Sequence, residues 1–77
     1  MRLLVTGGAG FIGSNFVNRV MSRYQGHEVT VLDAFTYAAN PRNLDPVIGG
    51  IAVIEGNICN YDLVDAAVSV VDAVVHF

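Results

Sequence analysis

The sequence predicts an α/β fold: the leading part of a doubly wound parallel sheet, with about four strands and two main helices. Three observations predict it. Short apolar, β-branched runs alternate with stretches whose apolar residues recur at helical spacing. That alternation implies parallel strands joined by right-handed crossovers. Of the 77 residues, 53% are hydrophobic and only 14% charged, which suits strands covered on both faces. Finally, VTGGAGFIGSN, residues 5 to 15, places four glycines between the first strand and the first helix.

RLLVT, residues 2 to 6, reads as a buried strand that stops at glycine. From Phe11 to Tyr24 the period changes. Ile12, Phe16 and Val20 recur every four residues, and Val17, Met21 and Tyr24 widen that stripe. Asn15, Asn18, Arg19, Ser22 and Arg23 fall on the other side, as in an amphipathic helix. Gly26 stands where a helix C-terminal glycine belongs. EVTVLD, residues 28 to 33, is the second strand. In the irregular stretch after it, Tyr37 and Asn40 are expected to order the loop. Pro41 opens a short helical turn, and Pro46, Gly49 and Gly50 mark further loop. IAVIEG, residues 51 to 56, is the third strand. Asn60 caps a helix from about Tyr61 to Ser69, with Asp62 favouring the dipole. Leu63, Val64, Ala67 and Val68 form its apolar face. DAVVHF, residues 72 to 77, is the fourth strand.

An apolar strand is an unusual ending, because termini are normally polar and superficial. Residues 1 to 77 are therefore expected to be a truncated N-terminal part of a larger domain. By itself such a part would leave the fourth strand's edge uncovered, so poor solubility or partial unfolding is expected.

The formal net charge is −3 and the four cationic residues, all arginine, are scattered. Nucleic acid needs clustered phosphate-neutralising cations, so it is excluded as a partner. No apolar run spans a bilayer, and MRLLVTGGAG is too short for a secretion signal. A lone cysteine, Cys59, excludes an internal disulfide framework. Together these predict a cytoplasmic protein with no membrane partner. There is no lysine, so these residues alone cannot run chemistry that needs one.

Gly7, Gly10 and Gly13 are spaced three apart. In a dinucleotide-binding unit the first such glycine makes the tight turn. The second lets a pyrophosphate approach the backbone, and the third lets the helix pack closely. The pyrophosphate then rests on the helix N-terminus. A Walker-type loop is excluded: Gly8 and Gly13 have its spacing, but Ser14 stands where its lysine must be. Asp33 closes the second strand twenty residues after Gly13. A carboxylate there accepts hydrogen bonds from the adenosine ribose and repels a 2′-phosphate, which predicts NAD rather than NADP. His76, among apolar strand neighbours, reads as structural, and Cys59 as inert. Asp62, Asp65 and Asp72 read as a solvated helix face and a turn.

TGGAGFIGS is similar to the nucleotide loop of the extended short-chain dehydrogenase/reductase family. LDAFTYAANPRNL resembles its dTDP-glucose 4,6-dehydratase branch, whose pattern runs Asp-x-x-Thr-Tyr-Ala-x-Asn. EGNICN resembles a Gly-Asp-Ile-x-Asp stretch of the same branch, and VDAVVHF its fourth strand. The resemblance covers the whole chain but only the N-terminal portion of a family member. It implies a Rossmann fold, bound NAD, a nucleotide-sugar substrate and a homodimer.

Position by position, the resemblance implies that the N–H groups of Phe11 and Ile12 meet the pyrophosphate and that Asp33 holds the ribose. It implies that Ala34, Phe35 and Thr36 line the adenosine end, with Asn57 and Ile58 flanking the adenine. The family's usual Asp is here Asn57, whose amide oxygen can still accept from the adenine amino group. The implied reaction oxidises the sugar at C4, eliminates water across C5 and C6, and returns the hydride to C6. It uses a Tyr-x-x-x-Lys pair and an Asp–Glu pair. Tyr24, Tyr37 and Tyr61 each lack a lysine four residues on, so every catalytic residue is expected beyond Phe77. Two other readings stay open. One is another family member, such as a nucleotide-sugar epimerase or decarboxylase, and the other is a non-catalytic nucleotide-binding chain.

Overall fold

A computed structural model describes every residue except Gln25, Tyr37 and Ala38; the expected role of Tyr37 in ordering the loop lies outside the described residues. In chain order the elements are β1 (Arg2–Thr6), α1 (Phe11–Arg23), β2 (Glu28–Asp33), a 3-10 helix (Pro41–Gly50), β3 (Ala52–Glu55), α2 (Tyr61–Val68) and β4 (Ala73–His76). All strand pairs are parallel, in the order β3-β2-β1-β4. Among the described residues no helix is long and apolar enough to cross a membrane.

Side chains alternate across a strand, and the register turns that alternation into two cores. Leu3 pairs with Val29 and Val5 with Val31. These four face α1 and the 3-10 helix, where Val17, Val20 and Leu44 join them. Leu4 and Leu32 lie on the opposite face, with Ala67, Leu63 and Val64 of α2. Covering on both faces, expected of apolar strands, is reached by β1 and β2, whereas β3 and β4 stay largely exposed.

The helices differ from their predicted outlines in instructive ways. α1 buries Gly13, Ser14, Val17 and Val20. Ile12 and Tyr24, expected on the core stripe, are 69% and 55% exposed. The stripe starts with small residues because the helix begins pressed against the glycine turn. The chain reverses at Gly26, φ +84°, two residues after the helix cap at Tyr24.

A larger correction concerns residues 41 to 50, expected as one turn and then loop. They form a ten-residue 3-10 helix that runs through Pro46, capped by Asn40 through a hydrogen bond from the Arg42 N–H at 3.0 Å. Proline has no N–H to give the Asn43 carbonyl three residues back. Asn18 Nδ2 of α1 donates to that carbonyl instead, at 3.0 Å. The supposedly solvated polar side of α1 thus repairs the gap.

Asp72, expected as a solvated turn residue, joins the starts of β4 and β1. Its Oδ2 accepts from the Arg2 N–H at 2.7 Å and its Oδ1 from Arg2 Nη2 at 3.3 Å. Its own N–H donates to the Arg2 carbonyl at 2.8 Å. The Arg2 N–H, and after it the guanidinium, hold the Asp72 carboxyl below its ordinary 3.8. A lowered folded value means the charged form favours the fold. The contribution is complete above pH 3.8 and disappears as pH falls through the lower folded value. Asp72→Asn is therefore expected to lower the melting temperature slightly at neutral pH, since exposed pairs are weak. Melts taken down a pH series should show the difference closing in acid. A constant difference would mean the charge is idle.

Candidate functional site

The crossovers set the location. From β1 the chain moves to β2 and then outward to β3; α2 brings it back to the far side of β1 as β4. Connections therefore leave β1 and β4 in different directions, opening a crevice at the strands' carboxyl ends. The glycine loop after β1, Asp33 at the end of β2, Asn57 after β3 and Phe77 after β4 all reach this end of the sheet.

The loop's shape follows from its glycines. Gly7 turns the chain at φ +72°, a conformation that side chains disfavour. Its N–H donates to the Leu32 carbonyl at 2.9 Å, and its carbonyl accepts from the Gly10 N–H at 3.2 Å. A Cβ on Gly13 would overlap the Gly7 carbonyl oxygen, so α1 can start this close to the turn only with glycine there. Gly8 was given no role from sequence. A Cβ on it would come within 2.8 Å of Val31 Cγ1, so its smallness seats the loop on β2. The doubled glycine was the available signal.

Gly10 caps α1 in an ordinary extended conformation, φ −72° and ψ 171°. Phe11, Ile12 and Gly13 are the first three helical residues, so their N–H groups lack intrahelical acceptors. Among the described residues no side chain caps them. Three free donors at the positive end of a thirteen-residue helix suit an anion.

Asp33 is only 8% exposed. Its Oδ2 accepts from the Ala9 N–H at 3.0 Å and its Oδ1 from the Phe35 N–H at 2.8 Å. A carboxylate oxygen has two lone pairs, so each can accept once more.

Two adjoining cavities occupy the crevice. The first, of about 520 Å³, gathers Gly7, Gly10, Phe11, Ile12 and Gly13 with Asp33 and Thr36. The second, of about 270 Å³, gathers Ala34, Asn57 and Ile58. Gly7, Asp33 and Thr36 border both, as does Phe77. Phe77 had no predicted role; its ring packs on Phe16 of α1, centroids 5.4 Å apart. Phe35 departs from expectation. It lines neither cavity, and its half-buried side chain packs against the core beneath α1.

Asn57 borders the second cavity, and its Oδ1 accepts from the Cys59 N–H at 2.8 Å. That bond holds the turn before α2 and leaves the oxygen one lone pair. Thr6 and His76 face each other across β1 and β4 and share a hydrogen bond through Thr6 Oγ1 and His76 Nδ1. Both residues also border the second cavity.

Residues 3–77 match the model of the NAD dependent epimerase/dehydratase family. The chain is 51% identical, over its whole length, to the dTDP-glucose 4,6-dehydratase of Mycolicibacterium smegmatis, and covers 23% of that protein. The fold superposes with a TM-score of 0.93 on the dTDP-glucose 4,6-dehydratase DesIV of Streptomyces venezuelae, solved with NAD and TYD bound. Identity there is 46%, over all of this chain and 26% of that one. It also superposes, at TM-score 0.83 and 30% identity, on the UDP-glucose 4-epimerase of Thermotoga maritima, solved with UDP-glucose, covering 24% of it. The chain thus spans about a quarter of the length of the curated relatives it matches.

Proposed function

Because this chain belongs to the NAD dependent epimerase/dehydratase family, we propose that it holds the adenosine and pyrophosphate half of NAD, as the N-terminal part of a cytoplasmic, homodimeric dTDP-glucose 4,6-dehydratase. The observation that carries the cofactor reading is the shared cavity: free first-turn N–H groups and a buried carboxylate border one space. The Phe11, Ile12 and Gly13 N–H groups would receive the pyrophosphate. The unused lone pairs of Asp33 would receive the ribose hydroxyls, and a 2′-phosphate would meet its charge instead. Ala34, Thr36, Asn57 and Ile58 would surround the adenine. When bound, NAD would supply the hydride acceptor for oxidation at sugar C4 and the donor for reduction at C6.

The dehydratase reading, over epimerase or decarboxylase, is supported by the run from Asp33 to Asn40. Asn40 ties that run to the glycine loop, its N–H donating to the Ala9 carbonyl at 3.1 Å. The higher identity to dehydratases than to the epimerase supports the same choice. The residues acting on the sugar are proposed to lie in sequence beyond Phe77, and this chain's task is to bind and orient.

Two assays on the complete natural protein test the proposal. Calorimetry should show NAD bound more tightly than NADP; equal affinities would remove the role given to Asp33. Incubation with dTDP-glucose should yield the 4-keto-6-deoxy product. Sugar interconversion without loss of water would replace dehydratase with epimerase.

A further inference from the structure

Building on the NAD reading, we propose that Asp33 is a positioning residue for the glycine loop as well as a ribose contact. Its carboxylate takes the Ala9 N–H and so decides which loop donors are left for the pyrophosphate.

Three of the loop's donors are already held. The Gly7 N–H is held by the Leu32 carbonyl, the Gly10 N–H by the Gly7 carbonyl, and the Ala9 N–H by Asp33 Oδ2. The Gly8 N–H is buried with no acceptor among the described residues, and Phe11, Ile12 and Gly13 are the unpaired donors that border the first cavity. The Ala9–Asp33 bond is buried: Ala9 is 0% exposed and Asp33 8%. A buried N–H deprived of its acceptor carries a large penalty, and a charged acceptor is stronger than a neutral one. Without the carboxylate, Ala9 would have to move or leave its donor unpaired.

The other oxygen serves a second backbone. Oδ1 receives the Phe35 N–H at 2.8 Å, and Phe35 sits at φ +53°, an uncommon conformation for a bulky side chain. Its half-buried ring packs against the core under α1. One carboxylate thus fastens the turn after β2 to the loop after β1, across 24 residues of sequence. The ribose would meet a group already fixed on both oxygens.

A ligand without ribose hydroxyls separates the two roles. 2′,3′-Dideoxy-ADP keeps the adenine and pyrophosphate but cannot bond Asp33 through O2′ or O3′. In the complete protein, Asp33→Ala should weaken dideoxy-ADP by about tenfold, the scale set by one lost hydrogen bond to a charged group. Hydrogen exchange at the Ala9 amide should accelerate while the later turns of α1 keep their protection. Asp33→Asn retains one acceptor oxygen and should recover part of the affinity; it also replaces the alanine variant should that one not fold. Dideoxy-ADP affinity and Ala9 exchange both unchanged in the variants would overturn the proposal and leave the NAD reading standing. If the unaltered protein binds neither ADP nor NAD, the NAD reading falls, and Ala9 exchange still decides for or against the fastening role.

Discussion

Gly13→Ala should destabilise the fold by about 3 kcal/mol, near the upper end for overpacking. Helix propensity alone points the other way, because alanine is favoured over glycine inside a helix by about 1 kcal/mol. Geometry decides. A Cβ at position 13 would overlap the Gly7 carbonyl oxygen, and the next atoms it meets are also backbone, Gly7 C and Gly8 Cα, each 3.0 Å away. No side chain can swing aside there, so either α1 or the turn must move. Movement of the turn also displaces the donors of Phe11 and Ile12, so NAD affinity should fall with stability. Denaturant unfolding of the complete protein gives the first quantity and calorimetry the second. A midpoint at or above that of the unaltered protein would mean that α1 does not press on the turn.

Gly10→Val should do the reverse: lose the cofactor and keep the fold. The Gly10 backbone, φ −72° and ψ 171°, is open to any residue. As a helix cap valine is poorer than glycine, at a cost of about 1 kcal/mol. The ligand cost should be larger. Gly10 borders the first cavity beside the three free donors, and a branched side chain would occupy the pyrophosphate's place. NAD affinity should drop by about 100-fold or more, roughly 2.7 kcal/mol. Calorimetry on the complete protein reads this directly, and undiminished affinity would end the pyrophosphate assignment. The two substitutions together separate a glycine that the protein's own backbone needs from one that its ligand needs.

Most of the architecture is legible in the sequence. The three-residue glycine spacing, the strand before it, the helix after it and Asp33 twenty residues on are local signals. Each expresses a backbone demand that few other residues meet. The parallel sheet also followed, because alternating strands and helices imply crossover connections, whereas the order β3-β2-β1-β4 came from the structure. The errors fell where a distant group intervenes. Pro46 looked like a helix breaker because the rescue of the Asn43 carbonyl comes from Asn18, on another element. Phe35 was expected at the adenosine end because the family resemblance places the residues after Asp33 there. Its positive φ swings the side chain into the core instead.

What the sequence by itself determined is therefore the chemistry on offer: which residues turn, which segments are strands, and which glycine loop goes with which acid. Those follow from steric limits and periodicity acting within a few residues. The tertiary structure alone decided how each polar group is used. Asp33 meets Ala9, Asp72 meets Arg2, and Thr6 meets His76 only after the sheet brings together residues from 24 to 70 positions apart. A hydrogen bond depends on distance and direction at the scale of a few tenths of an ångström, and sequence spacing carries no such information.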